Sequence, residues 1–158
     1  MKFNARILAP FGLAAAALVA LPLGASAQTA QTGYNYVGIG GGDEGFTVNG
    51  KIAVANNISV RPAVSTDFDF DDSEDVSYLL PITYDFNSPE PSGRLLPFAG
   101  AGIRGDIGDD STVDFAVTAG TDYRINNRLI ANGSLNWAPF AENSRDDVNF
   151  TVGLGYAF

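Results

Sequence analysis

Val148-Asn149-Phe150-Thr151-Val152-Gly153-Leu154-Gly155-Tyr156-Ala157-Phe158 alternates apolar residues with polar or small ones at every step. Period two is the mark of a strand with two unlike faces. The same phase runs through Val76, Tyr78, Leu80, Ile82, Tyr84 and Phe86, and through Val113, Phe115, Val117, Ala119, Tyr123 and Ile125. It recurs in Phe46, Val48, Ile52 and Val54, and in Ile58, Val60, Val64 and Phe68. Every charge in these five segments lies on the opposite face: Lys51, Arg61, Asp67, Asp85, Asp114, Asp122 and Arg124.

Extending the pattern outward predicts strands over 34–41, 46–55, 58–68, 76–86, 94–104, 113–125, 128–138 and 148–158. Pro62 and Pro81 fall inside two of them, where each removes a ladder hydrogen bond, so bulges or breaks are expected there. The glycine- and alanine-rich strands one, five and seven have no clear phase. Tight or turn-rich connections (Asn56-Asn57, Asn87 to Gly93, Asn126-Asn127) alternate with acidic ones (Asp43-Glu44, Asp69 to Asp75, Asp106 to Ser111, Glu142 to Asp147). In an up-and-down barrel this alternation places all the acidic loops at one rim and all the tight turns at the other.

The apolar face has two readings. In a soluble sandwich or a lipocalin-like carrier it is the core. In a membrane barrel it meets lipid, and the polar face lines the lumen. Aromatic placement favours the membrane. Phe68, Phe115 and Trp137 fall toward the acidic rim, and Tyr84, Phe86, Tyr123, Tyr156 and Phe158 toward the other, as two headgroup-level girdles would. Charge balance favours it as well. With Arg104 from strand five, the polar face carries Lys51, Arg61, Arg104 and Arg124 against Asp67, Asp85, Asp114 and Asp122. A closed lumen requires such pairing, because a buried unpaired charge costs several kcal/mol. Arg104 and Asp114, at similar height on neighbouring strands, are the first expected pair.

Met1 to Ala27 has a basic start (Lys2, Arg6), an apolar middle and the exit Ala25-Ser26-Ala27. This is the order of a secretory signal peptide, with cleavage expected after Ala27. Gln28 to Phe158 is then one domain. Without Lys2 and Arg6 the 9 bases fall to seven against 18 acids. That excess of negative charge disfavours nucleic acid. There is no cysteine and no histidine, which removes thiolate metal sites and the commonest general base. No segment after residue 27 has the ~18 apolar residues of a membrane helix.

The final residues, Thr151-Val152-Gly153-Leu154-Gly155-Tyr156-Ala157-Phe158, read polar, x, Gly, x, x, aromatic, x, aromatic. Here the chain resembles outer-membrane β-barrel proteins, whose last strand carries this signal for the barrel-assembly machinery. The opening Tyr34-Asn35-Tyr36-Val37-Gly38-Ile39-Gly40, the paired-Asn turns and Leu96-Pro97-Phe98-Ala99-Gly100-Ala101-Gly102 extend the likeness. The sequence looks like the small group that includes the outer-membrane protein A transmembrane domain and the opacity-type barrels. The resemblance implies an all-β, eight-stranded antiparallel up-and-down transmembrane β-barrel. It also implies the outer membrane of a Gram-negative-type bacterium as the location, and Thr151, Gly153, Tyr156 and Phe158 as the assembly signal.

The acidic connections read first as solvated surface. Their mutual repulsion would also be relieved by loosely bound divalent cations, shared with lipopolysaccharide phosphates. Asp67 to Asp75 begins like a calcium loop but lacks the glycine and glutamate that complete one. Asp69, Asp71, Asp72, Glu74 and Asp75 are therefore a candidate cation-binding loop with the metal unspecified. Gly38 to Gly42 imitates a dinucleotide fingerprint without the helix that would bind phosphate. Carboxylates beside arginine or lysine make poor general acids, so no enzyme and no cofactor is expected. Three functions stay open. One is a barrel with a charge-paired, mostly plugged lumen, serving envelope structure or surface interaction. The others are a narrow channel for small ions or solutes, and the soluble carrier.

Overall fold

The computed structural model describes residues 32–66, 76–107, 112–139 and 147–158. The expected signal peptide and its cleavage point lie outside the described residues. So do Asp67, Phe68 and the candidate cation-binding residues Asp69, Asp71, Asp72, Glu74 and Asp75.

The described chain forms β1 (Tyr36–Gly42), β2 (Gly45–Ala55), β3 (Ile58–Val60), β4 (Ala63–Thr66), β5 (Val76–Asp85), β6 (Leu95–Ile107), β7 (Thr112–Arg124), β8 (Leu129–Ala138) and β9 (Asp147–Ala157). Every pairing is antiparallel, each strand other than β3 and β4 lies beside its sequence neighbours, and β9 returns to β1 from Tyr36↔Ala157 to Gly42↔Thr151. β3 and β4 both lie between β2 and β5. They are two halves of one strand, so the sheet is an eight-stranded, closed, up-and-down barrel.

Proline explains the divided strand. The ladder stops at Arg61-Pro62 and resumes at Ala63. Around the gap, Gly50 N–H donates to the Pro62 carbonyl at 3.0 Å and Arg61 N–H to the Pro81 carbonyl at 3.1 Å. Pro81 was expected to interrupt its own strand and does not; β5 runs through it, opposite Gly102. A strand residue directs its amide and carbonyl to the same neighbour. The missing Pro81 donor therefore faces the gap at Pro62, and one break in the ladder serves both prolines.

The two faces settle which way the barrel is turned. Ile39, Val54, Leu80, Ile82, Ile103, Phe115, Leu135, Val152 and Leu154, drawn from strands all around the wall, are exposed on its outside. Lys51, Arg61, Asp85 and Asp122 are buried inside. A soluble sandwich needs a second sheet over the apolar face, and the described residues form one closed sheet. Aromatics mark both ends of the outer wall. Phe115, Trp137 and Phe150 lie toward the acidic rim, and Tyr84, Phe86, Tyr123, Tyr156 and Phe158 toward the tight turns, all exposed.

The strands without a clear phase owe their irregularity to an interior that is partly apolar. Tyr36, Leu96, Phe98 and Ile130 point inward and are buried. Glycine makes room for the rings: a Cβ at Gly120 would lie 2.6 Å from the Phe98 ring, and one at Gly155 the same distance from Tyr36. β6 also runs three residues further than expected, so Asp106, assigned to a loop, is a strand residue whose carboxylate accepts from Ser77 Oγ at 2.8 Å. Replacing an outward mid-strand residue tests the orientation. Leu80→Arg is expected to cost about 2–4 kcal/mol if it sits near a bilayer midplane, read by denaturant titration in lipid vesicles.

Candidate functional site: the charged lumen

The inward face of β2 brings Lys51 into the lumen, the broken strand brings Arg61, β5 brings Asp85 and β7 brings Asp122. These four charges form one neutral cluster. Lys51 Nζ lies 3.0 Å from Asp85, and Arg61 Nη2 lies 3.0 Å from Asp85 and 2.9 Å from Asp122. A second bond from Nη1 to Asp122 at 3.2 Å makes that contact two-pronged. The geometry fits the planar fork of a guanidinium.

Neutral groups fill the remaining valences. Arg61 Nε donates to Thr83 Oγ1 at 3.1 Å, and Ser59 Oγ donates to Asp85 at 2.9 Å. The hydroxyls of Tyr34 and Tyr36 both donate to Asp122. The Arg61 guanidinium lies over the Phe98 ring, 3.5 Å from its centroid. Buried ions are tolerable only when paired and hydrogen-bonded in this way.

Of the eight expected network residues, this cluster gathers four. Arg124 stands beside it, 4.5 Å from the Tyr34 ring. Asp67 lies outside the described residues. Arg104 and Asp114 are cross-strand neighbours as expected. Arg104 forms an ion pair with Glu44, which also accepts from Asn149 Nδ2 at 2.6 Å. Glu44 is expected in a solvated acidic connection and is instead half-buried. It turns inward because Asp43-Glu44 is a two-residue hairpin closed by Gly45 at φ 81°, a turn as tight as those at the other rim.

Between the two charged layers is a cavity of about 40 Å³, lined among others by Arg61, Leu79, Phe98, Asn49 and Asn132. It has room for a few waters. Thr32 and Tyr34, which precede β1, were missed as lumen residues. Thr32 is buried, and its carbonyl accepts from Lys51 Nζ at 2.8 Å. Strand periodicity carries no signal for a segment that leaves the ladder and turns inward.

The expected assembly-signal residues lie on or beside β9. Thr151 and Gly153 face inward, and Tyr156 and Phe158 are exposed on the outer wall. At Gly153 a Cβ would come within 2.7 Å of the Ile39 carbonyl, so the closing β1–β9 seam itself requires glycine there.

Outward apolar walls, a closed ladder and an ion-paired interior define an eight-stranded barrel of the outer-membrane type. No family model matches the sequence, and no curated protein does. Solved structures do. The N-terminal β-barrel domain of Pseudomonas aeruginosa OprF aligns with a TM-score of 0.58 at 16% identity, over 79% of this chain and 96% of that one. The outer-membrane protein Ail of Yersinia pestis, in a phospholipid nanodisc, aligns with a TM-score of 0.54 at 13% identity, over 80% and 99%. The de novo designed barrel TMB2.3 aligns with a TM-score of 0.53 at 20% identity, over 78% and 93%. The chain has the fold these proteins share.

The cluster makes a graded prediction. Arg61→Met strands Asp122 and is expected to cost about 3–5 kcal/mol. Adding Asp122→Leu removes the stranded charge and should recover part of that loss, because Lys51 and Asp85 remain paired. Denaturant titration of the single and double variants in detergent reads both.

Proposed function

We propose that the chain is a non-enzymatic integral protein of the outer membrane of a Gram-negative-type bacterium, reached after cleavage of the signal peptide. Its plugged lumen serves envelope structure or surface interaction rather than transport. The observation that carries this reading is the neutral, buried Lys51–Asp85–Arg61–Asp122 cluster across the interior of a barrel whose outside is apolar. An eight-stranded barrel is just wide enough for side chains to fill. A filled bore leaves the wall and rims to act.

The partners in this reading are outer-membrane lipid along the wall and lipopolysaccharide at the acidic rim. Loosely bound divalent cations at the acidic loops would bridge to its phosphates. During biogenesis the barrel-assembly machinery reads Thr151, Gly153, Tyr156 and Phe158. A narrow channel is the second reading, and the cavity above the cluster favours it.

Two experiments test the proposal. In planar bilayers the purified protein is expected to pass no steady current, while Arg61→Ala opens a measurable one. Steady current from the wild type would put the channel reading first. Removing Phe158 is expected to lower the heat-modifiable, folded fraction in the membrane while leaving export intact. Normal assembly without Phe158 would end the assembly-signal reading.

A further inference from the structure

The ammonium of Lys51 is fully buried, and a buried ammonium needs partners for its three donors. Asp85 supplies one contact, at 3.0 Å. The other two come from the segment before β1: the Thr32 carbonyl at 2.8 Å, and the face of the Tyr34 ring, with Nζ 3.6 Å from the centroid. The Arg124 guanidinium also lies near that ring, 4.5 Å from its centroid. Both cations are within the ~6 Å reach of a cation–π contact. The Tyr34 hydroxyl donates to Asp122, and Tyr36 stacks alongside with ring centroids 6.4 Å apart. The segment is anchored where it joins the wall. Asn35 Oδ1 accepts from Ala53 N–H at 2.9 Å, and its carbonyl accepts from Phe158 N–H at 3.1 Å.

A ring flanked by two cations, with a carboxylate at its hydroxyl, has the features of a recognition site for a phenol. We propose that Lys51, Arg124, Asp122 and Tyr36 form a phenol-binding pocket at the tight-turn mouth of the lumen. Its resident ligand is the chain's own Tyr34, which corks the barrel. The inference deepens the plugged-lumen reading and rests on it. The cork closes the bore from the tight-turn side, beneath the ion cluster. A ring without a hydroxyl would satisfy the cations but leave Asp122 one donor short, so the pocket distinguishes a phenol from a plain arene. Tyr34 is held by contacts and not by the ladder, since β1 begins only at Tyr36. The pocket can therefore be emptied by one substitution outside the strands.

The test is a rescue experiment on the full barrel in detergent, with p-cresol as the probe. Tyr34→Ala is expected to unfold at a lower temperature than the wild type. Millimolar p-cresol should raise its midpoint, and toluene should do so less. The wild type and Tyr34→Phe, whose pockets are occupied, should not respond. A Tyr34→Ala midpoint equal to the wild type, or one indifferent to p-cresol, overturns the proposal. If Tyr34→Ala does not fold, the wild type still decides by NMR. The Lys51 side-chain protons are expected well upfield, shielded by the Tyr34 ring, and ordinary shifts would overturn the pocket. Failure of the plugged-lumen reading would instead appear as steady wild-type current in bilayers, a result independent of p-cresol.

Discussion

A sheet immersed in hydrocarbon can have no free edge, because nothing there satisfies an unpaired backbone amide or carbonyl. Everything else in this molecule follows from meeting that demand within one small domain. The β1–β9 seam closes the ring through seven consecutive register pairs. It does so along a stretch where both strands carry glycine, Gly38 and Gly40 facing Gly155 and Gly153. The break at Arg61-Pro62 is placed so that the proline opposite loses nothing further.

Closure at eight strands fixes the bore, and the bore dictates the interior chemistry. The space of an eight-stranded barrel is just wide enough for side chains to fill, and here it is too polar to be a hydrocarbon core. It is filled in layers. At the tight-turn end, Thr32, Tyr34, Leu96 and Ile130 lie near or beneath a neutral quartet of charges. A small cavity with amide and hydroxyl groups comes next, and the Glu44–Arg104 pair sits below the acidic rim. Lys51, Arg61, Asp85 and Asp122 each have an opposite partner and neutral groups around them. This polar packing also specifies the fold, because slipping β2, β5 or β7 by one residue would turn Lys51, Asp85 or Asp122 toward lipid.

The sequence made the wall legible and the interior only in part. Five strands alternate cleanly, since lipid on one side and a polar bore on the other give each position an unambiguous demand. Lys51, Arg61, Asp85 and Asp122 could be assigned inward from that parity alone. Their partners could not be assigned, because pairing across the bore joins residues that are distant in sequence and not adjacent in the ladder. The expected Arg104–Asp114 pair followed ladder adjacency, whereas the hairpin at Gly45 swings Glu44 closer. The strands without a phase were obscured by Leu96, Phe98 and Ile130, apolar residues that face inward. Tyr34 falls within the strand expected over 34–41, whereas β1 begins only at Tyr36. A side chain that leaves the ladder to reach buried charges has no periodic signature.

The apolar wall faces lipid, and the single tryptophan, Trp137, reports on it directly. It lies on β8 with its indole exposed on the outer face. Its fluorescence should be measured with the protein reconstituted in vesicles, comparing brominated phospholipid with aqueous iodide as quencher. Strong quenching by the brominated lipid and weak quenching by iodide is the expected result. The reverse order would place that face in water and overturn the membrane orientation of the barrel.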